Sequence, residues 1–197
     1  MPSPDTDAAA TPRRSTLTLW LILAVSVAPI AASYIAFYFW QPSAHVNYGE
    51  LLEPQLLPQA DLTLQDGRPF RFSELKGEWV FLVADQAGCD EACRKKLTYI
   101  RQVRLTQPKD SARIERVWLV TDAAAPDPAL IADHPGLIIV RAGTRTIVDA
   151  LPAAGSAHDH IYVVDPLGNL MMRFPRDPDP TRVINDLRRL LRASSFG

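Results

Sequence analysis

The only two cysteines of the 197-residue chain stand four apart, in the stretch Gly88-Cys89-Asp90-Glu91-Ala92-Cys93-Arg94. On a helix, residues i and i+4 lie one above the other on the same face, so both sulfurs would point the same way. Such a pair can close a disulfide, exchange thiols or grip a soft metal. Two of the four histidines, His158 and His160, stand together in "SAHDHIYVVD" at the entry to an apolar run. His45 and His134 have no partner in the motif and are read as solvated.

What the cysteines can do depends on the compartment. From Leu17 to Trp40 the chain reads "LTLWLILAVSVAPIAASYIAFYFW", with no charged residue. At about 1.5 Å per residue this run is long enough to cross the roughly 30 Å hydrocarbon core of a bilayer. Trp20 at one end and Tyr38 and Trp40 at the other suit the two interfaces, and Pro29 is tolerable where nearby groups recover the lost backbone bond. A cleaved signal peptide is the competing reading, since Ala31-Ala32-Ser33 offers small residues, but the apolar run extends well beyond a normal h-region. Arg13 and Arg14 precede the span and no Lys or Arg follows until Arg68. This asymmetry predicts a single-pass anchor in the inner (cytoplasmic) membrane, with residues 1–16 a cytoplasmic tail and the remaining chain in the periplasm.

An oxidising compartment lets disulfides persist. A purely structural staple across so short a loop is a weak device, because little unfolded-state entropy is removed. Composition excludes other classes. Hydrophobic residues make up 47% and charged residues 22%, compatible with a packed core, and a net charge of −1 gives no basic footprint for nucleic acid.

The elements that must position the cysteines follow from patterning. Residues 41–60 carry three prolines without sustained periodicity and read as a tether. The outer domain, 61–197, opens with "DLTLQDGRPFRF", a hairpin around Asp66-Gly67 with Leu62, Leu64, Phe70 and Phe72 inward. "WVFLVAD" (79–85) is a strand buried on both faces, and the cysteine motif follows it directly. The pattern is then helical from Asp90 to about Thr106, with Leu97, Ile100 and Val103 on one face. "RVWLVTD", "GLIIV" and "HIYVVD" are further strands, and Asp165-Pro166-Leu167-Gly168 turns the last into "NLMMRF". Asp179, Pro180 and the stripe Val183, Ile184, Leu187, Leu190, Leu191 make a closing helix. The order predicts an α/β fold, a mixed sheet flanked by helices and preceded by one transmembrane helix.

Four features carry a resemblance: the N-terminal anchor, the lead-in from Asp66 to Gly77, the Cys-x₃-Cys after the first central strand, and a histidine just before "YVVDPLG". Together they resemble the thioredoxin-like Sco/SenC family of copper-handling proteins that help assemble cytochrome c oxidase. The resemblance implies a copper site built from Cys89, Cys93 and a downstream histidine, and cytochrome c oxidase subunit II as partner. Two thiolates and one imidazole suit Cu(I), because soft sulfur ligands select it. A helix N-terminus would also lower the thiol pKa. Between the histidines, His160 is favoured because it opens a strand, with His158 the alternate. Met171 and Met172 read as hairpin alternation, Asp122 as a cap or supporting group, and Arg94, Lys95 and Lys96 as a solvated helix face.

Three functions compete. The first is a copper chaperone or thiol reductase for the oxidase's copper site. The second is a general thiol-disulfide oxidoreductase, against which Cys-x₃-Cys is not Cys-x-x-Cys and no proline immediately precedes "HIYVVD". The third is a non-catalytic assembly scaffold.

Overall fold

The computed structural model describes residues 16–39, 47–58 and 60–194. Arg13, Arg14, Trp40 and His45, all used above, lie outside the described residues. The chain divides into two compact units, Met1–His45 and Val46–Gly197.

The first unit contains α1 (Thr16–Phe39), an apolar helix long enough to cross a membrane. Pro29 lies inside it, and the Ser26 hydroxyl donates to the Ile22 carbonyl.

The second unit is an eight-stranded mixed sheet with helices. Its strands are β1 (Glu50–Leu56), β2 (Leu62–Leu64), β3 (Pro69–Phe70), β4 (Trp79–Asp85), β5 (Ile114–Val120), β6 (Ile138–Ala142), β7 (Ile161–Val164) and β8 (Asn169–Phe174). The spatial order is β1-β8-β7-β4-β5-β6-β2-β3. β4 lies in the interior of the sheet, parallel to β5 and antiparallel to β7. As its continuous apolar run requires, it is buried on both faces: Phe81 and Val83 pack in one core cluster, Leu82 and Ala84 in the other. The helices are α2 (Glu91–Leu105), α3 (Pro128–Ala132), α4 (Thr146–Asp149) and α5 (Pro180–Ala193). Leu97, Ile100 and Val103 of α2 and Val183, Leu187 and Leu191 of α5 cover the Phe81 face.

The expected hairpin forms, with Leu62 opposite Phe70 and Gly67 at φ 84° in the turn. Two placements differ from the sequence reading. Within the stretch taken as tether, residues 50–56 form β1, an edge strand antiparallel to β8. Most of its side chains are exposed, so it carries no strong hydrophobic alternation, and Pro54 is admissible because the outer edge needs no ladder donor. His134, read as solvated, is buried at the end of α3, and burial together with Arg101 and Arg116 lowers its pKa.

Candidate functional site around the cysteine pair

The cysteine motif occupies the transition from β4 into α2. After Asp85 the chain turns tightly, and the Cys89 N–H donates to the Gln86 carbonyl at 3.1 Å. Asp122, just beyond β5, accepts the Ala87 N–H at 3.1 Å and ties this turn to the neighbouring strand. Cys89 is the one non-glycine residue with positive φ among the described residues, at 36°. Such a conformation is costly for a side-chain-bearing residue and is held only where the surroundings fix it. Asp90 then caps α2, its Oδ1 accepting the Cys93 N–H at 2.8 Å, so both cysteines flank the helix N-cap.

Cys89 and Cys93 are joined in a disulfide with their Cα atoms 5.1 Å apart. Both are buried, at 2% and 0% exposure. Thiol chemistry here therefore starts from the oxidised pair, and any attack on it has to come through the adjoining cleft. That cleft, of about 400 Å³, is walled by Asp85, Gln86, Cys89 and Asp90 on one side and by Ser156, His158, Asp159 and Arg176 on the other. A second cleft of about 520 Å³ shares Gln86 and His158 with it and continues past Asp122 to Arg141 and Arg145.

The two candidate histidines part ways. His158 lines the cleft with Cys89; its Nε2 lies 3.3 Å from the Thr121 hydroxyl and its N–H donates to Ser156 Oγ at 3.2 Å. His160, favoured from the sequence, has Nδ1 3.2 Å from the Phe174 carbonyl and its ring against Tyr162. The reason is strand alternation. Residues 160 and 162 share one face of the chain, Tyr162 belongs to the core cluster opposite α2, and the cysteines belong to the cluster beneath α2. Burial pushes the Tyr162 hydroxyl up to about 12, so it stays a neutral donor to the Pro152 carbonyl. Among the described residues no three His, Cys, Asp or Glu side chains converge as a metal group. Met172 is fully buried in the core, in keeping with the hairpin reading.

Lys96, read from the sequence as part of a solvated helix face, faces inward instead. It is fully buried, its Nζ 2.7 Å from Asp85 Oδ2 and also donating to the His158 carbonyl. The signal was present: Cys93, Lys96, Leu97, Ile100 and Val103 follow the helical spacing of one buried face. Lys95 does lie at the surface, paired with Asp177 at 2.6 Å.

No curated protein matches the chain. Among solved structures, copper-bound yeast Sco1 is similar with TM-score 0.60 and 16% identity, over 73% of this chain and 96% of that one. Apo Sco1 from Thermus thermophilus gives TM-score 0.58 and 20% identity, over 75% and 99%. The thioredoxin domain of a thiol-disulfide oxidoreductase from Bacteroides vulgatus gives 0.54 and 19%, over 72% and 99%. Residues 79–194, which hold the cysteine pair and both histidines, match the pattern of the transmembrane-like, thioredoxin-like C-terminal domain. The chain is thus a member of that thioredoxin-like family, built on the fold that Sco proteins share.

Proposed function

We propose that this protein is a membrane-anchored, Sco-like carrier whose Cys89–Cys93 pair takes up Cu(I) as cargo when reduced and passes it by ligand exchange to the thiolates of a recipient. In this reading the recipient is the copper site of cytochrome c oxidase subunit II, on the periplasmic side of the inner membrane. The observation that carries it is the Cys89–Cys93 disulfide at the N-cap of α2, with Cys89 and His158 lining one cleft. Reduction of the disulfide by an external dithiol, which is itself oxidised to a disulfide, consumes two electrons and two protons and yields two thiols. Cu(I) then displaces the thiol protons, and the imidazole of His158 is the nitrogen donor that the cleft offers. His160 is the alternate, available only if it leaves the Phe174 carbonyl.

The test is anaerobic titration of the reduced and the oxidised full-length protein with Cu(I) against a competing chelator. The reduced form should take one equivalent, lost in Cys89→Ser and in Cys93→Ser, while the oxidised form takes none. Equal uptake by both forms would refute the carrier reading.

A second reading is favoured by the likeness to the thioredoxin domain of a thiol-disulfide oxidoreductase: a reductase that, starting from its dithiol form, keeps the partner's cysteines reduced. Here a Cys89 or Cys93 thiolate attacks the partner's disulfide, and the second cysteine resolves the mixed disulfide with release of the partner as a dithiol. This reading predicts undiminished reductase activity in a His158→Ala variant.

A further inference from the structure

The cleft wall that carries His158 is a short loop, and its registration against the cysteine helix has an identifiable cause. Lys96 lies one helical turn beyond Cys93 on the same face of α2. A buried ammonium is strongly unfavourable unless it is paired with an opposite charge and hydrogen-bonded. Lys96 meets that demand with two acceptors from two other segments: the Asp85 carboxylate at the end of β4, 2.7 Å away, and the backbone carbonyl of His158 itself. One side chain thus joins the cysteine helix, the strand before the motif and the histidine loop. At the surface Arg176 repeats the link, with its guanidinium 3.5 Å from Asp90, the N-cap of α2, and 3.4 Å from Asp159, next to His158.

We propose that Lys96 is the positioning residue of this site: through the His158 carbonyl it holds the imidazole loop over the cysteine pair, with Arg176 as a weaker outer tie. The inference rests on the reading that His158 joins the two cysteines around Cu(I). Lys96 itself is no ligand, since its nitrogen is spent on Asp85 and the carbonyl. Moving that carbonyl moves the Cα of His158, whereas the Thr121 hydroxyl, 3.3 Å from Nε2, orients the ring.

The experiment is a double-mutant cycle on the reduced full-length protein in detergent, with Cu(I) affinity and copper K-edge absorption as readouts. His158→Ala should lower the affinity about tenfold or more and remove the imidazole scattering, leaving two sulfurs. Lys96→Met should do the same, and the double variant should be no weaker than either single variant by more than about twofold, because the two residues act as one unit. Full affinity and retained imidazole scattering in Lys96→Met, or effects that multiply in the double variant, would overturn the inference while leaving the carrier reading intact. Unchanged affinity in His158→Ala would also overturn the inference, and would leave the carrier reading to the two cysteines with His160 as the alternate ligand. If Lys96→Met does not fold, Lys96→Met with Asp85→Leu removes the buried ammonium and its partly buried carboxylate together and reports the same cycle. Arg176→Ala, at a half-exposed site, should weaken affinity only a fewfold, and that loss should shrink at high salt.

Discussion

The carboxylate of Asp186, buried on α5, accepts the backbone N–H of Tyr48 at 2.7 Å. The same oxygen accepts the Gly49 N–H at 2.8 Å, so two donors at the entry to β1 are satisfied by one side chain. Arg182 stacks over the Tyr48 ring at 4.2 Å, and the Tyr48 hydroxyl accepts the N–H of Asp179, the N-cap of α5. Asp186→Ala leaves the buried Gly49 N–H without a partner, with an expected loss of about 2–4 kcal/mol. Urea unfolding followed by circular dichroism checks it, and a loss under about 0.5 kcal/mol would mean that β1 does not depend on this anchor.

Gly49 is needed for close approach. A Cβ there would stand 2.6 Å from Met172 Sδ and 2.7 Å from Phe174 Cε1, both in the core. Gly49→Ala should therefore destabilise by about 1–3 kcal/mol through overpacking. Adding Met172→Ala should relieve part of that loss, and simple additivity of the two changes would contradict the steric cause.

The pattern of what was legible in the sequence follows the physics of each element. β4 announces itself as an unbroken apolar run because both its faces are buried, and α2 and α5 as apolar stripes because one face of each is. β1 has one partner strand and a mostly exposed surface, so its residues carry no such period. His158 lies in a short 3₁₀ turn, Ala157–Asp159, ahead of β7, and lines the cleft with Cys89, whereas the sequence reading ranked the histidines by strand entry and had no signal for that turn. Lys96 and Asp186 sit at apolar-stripe spacings with polar side chains, and only their partners, distant in sequence, show that they point inward.

Opening the disulfide should change stability modestly. For a loop this short, the chain-entropy relation gives about 2 kcal/mol, against about 3 kcal/mol for a fifteen-residue loop. The domain is therefore expected to stay folded with Cys89 and Cys93 reduced. Thermal melts of oxidised protein and of protein held in excess phosphine reductant should differ by no more than about 10 °C. Loss of cooperative unfolding on reduction would instead make the bond a structural staple.

His134 supplies a pH dependence. Burial first, then Arg101 and Arg116, depress its pKa below 6.5 in the folded state. The unfolded chain therefore binds a proton that the folded chain does not, over the window from about 6.5 down to the depressed folded value. Stability should fall as the pH drops through that window and level off below it. His134→Leu should flatten this part of the profile, measured as urea midpoints between about pH 7 and pH 5. An unchanged slope would assign the effect to other groups.

The strand order also sets a sequence of events for a chain that emerges N-terminus first. Glu50 of β1 is bonded to Arg173 of β8, 123 positions later, and β4 acquires its β7 neighbour only from residues 161–164. Until those last segments arrive, β1 has no partner strand, and the cysteines lack the His158 wall and the α5 cover that later enclose them. The thiols of a chain still being made are thus without that wall and cover until the segments up to Leu191 have emerged.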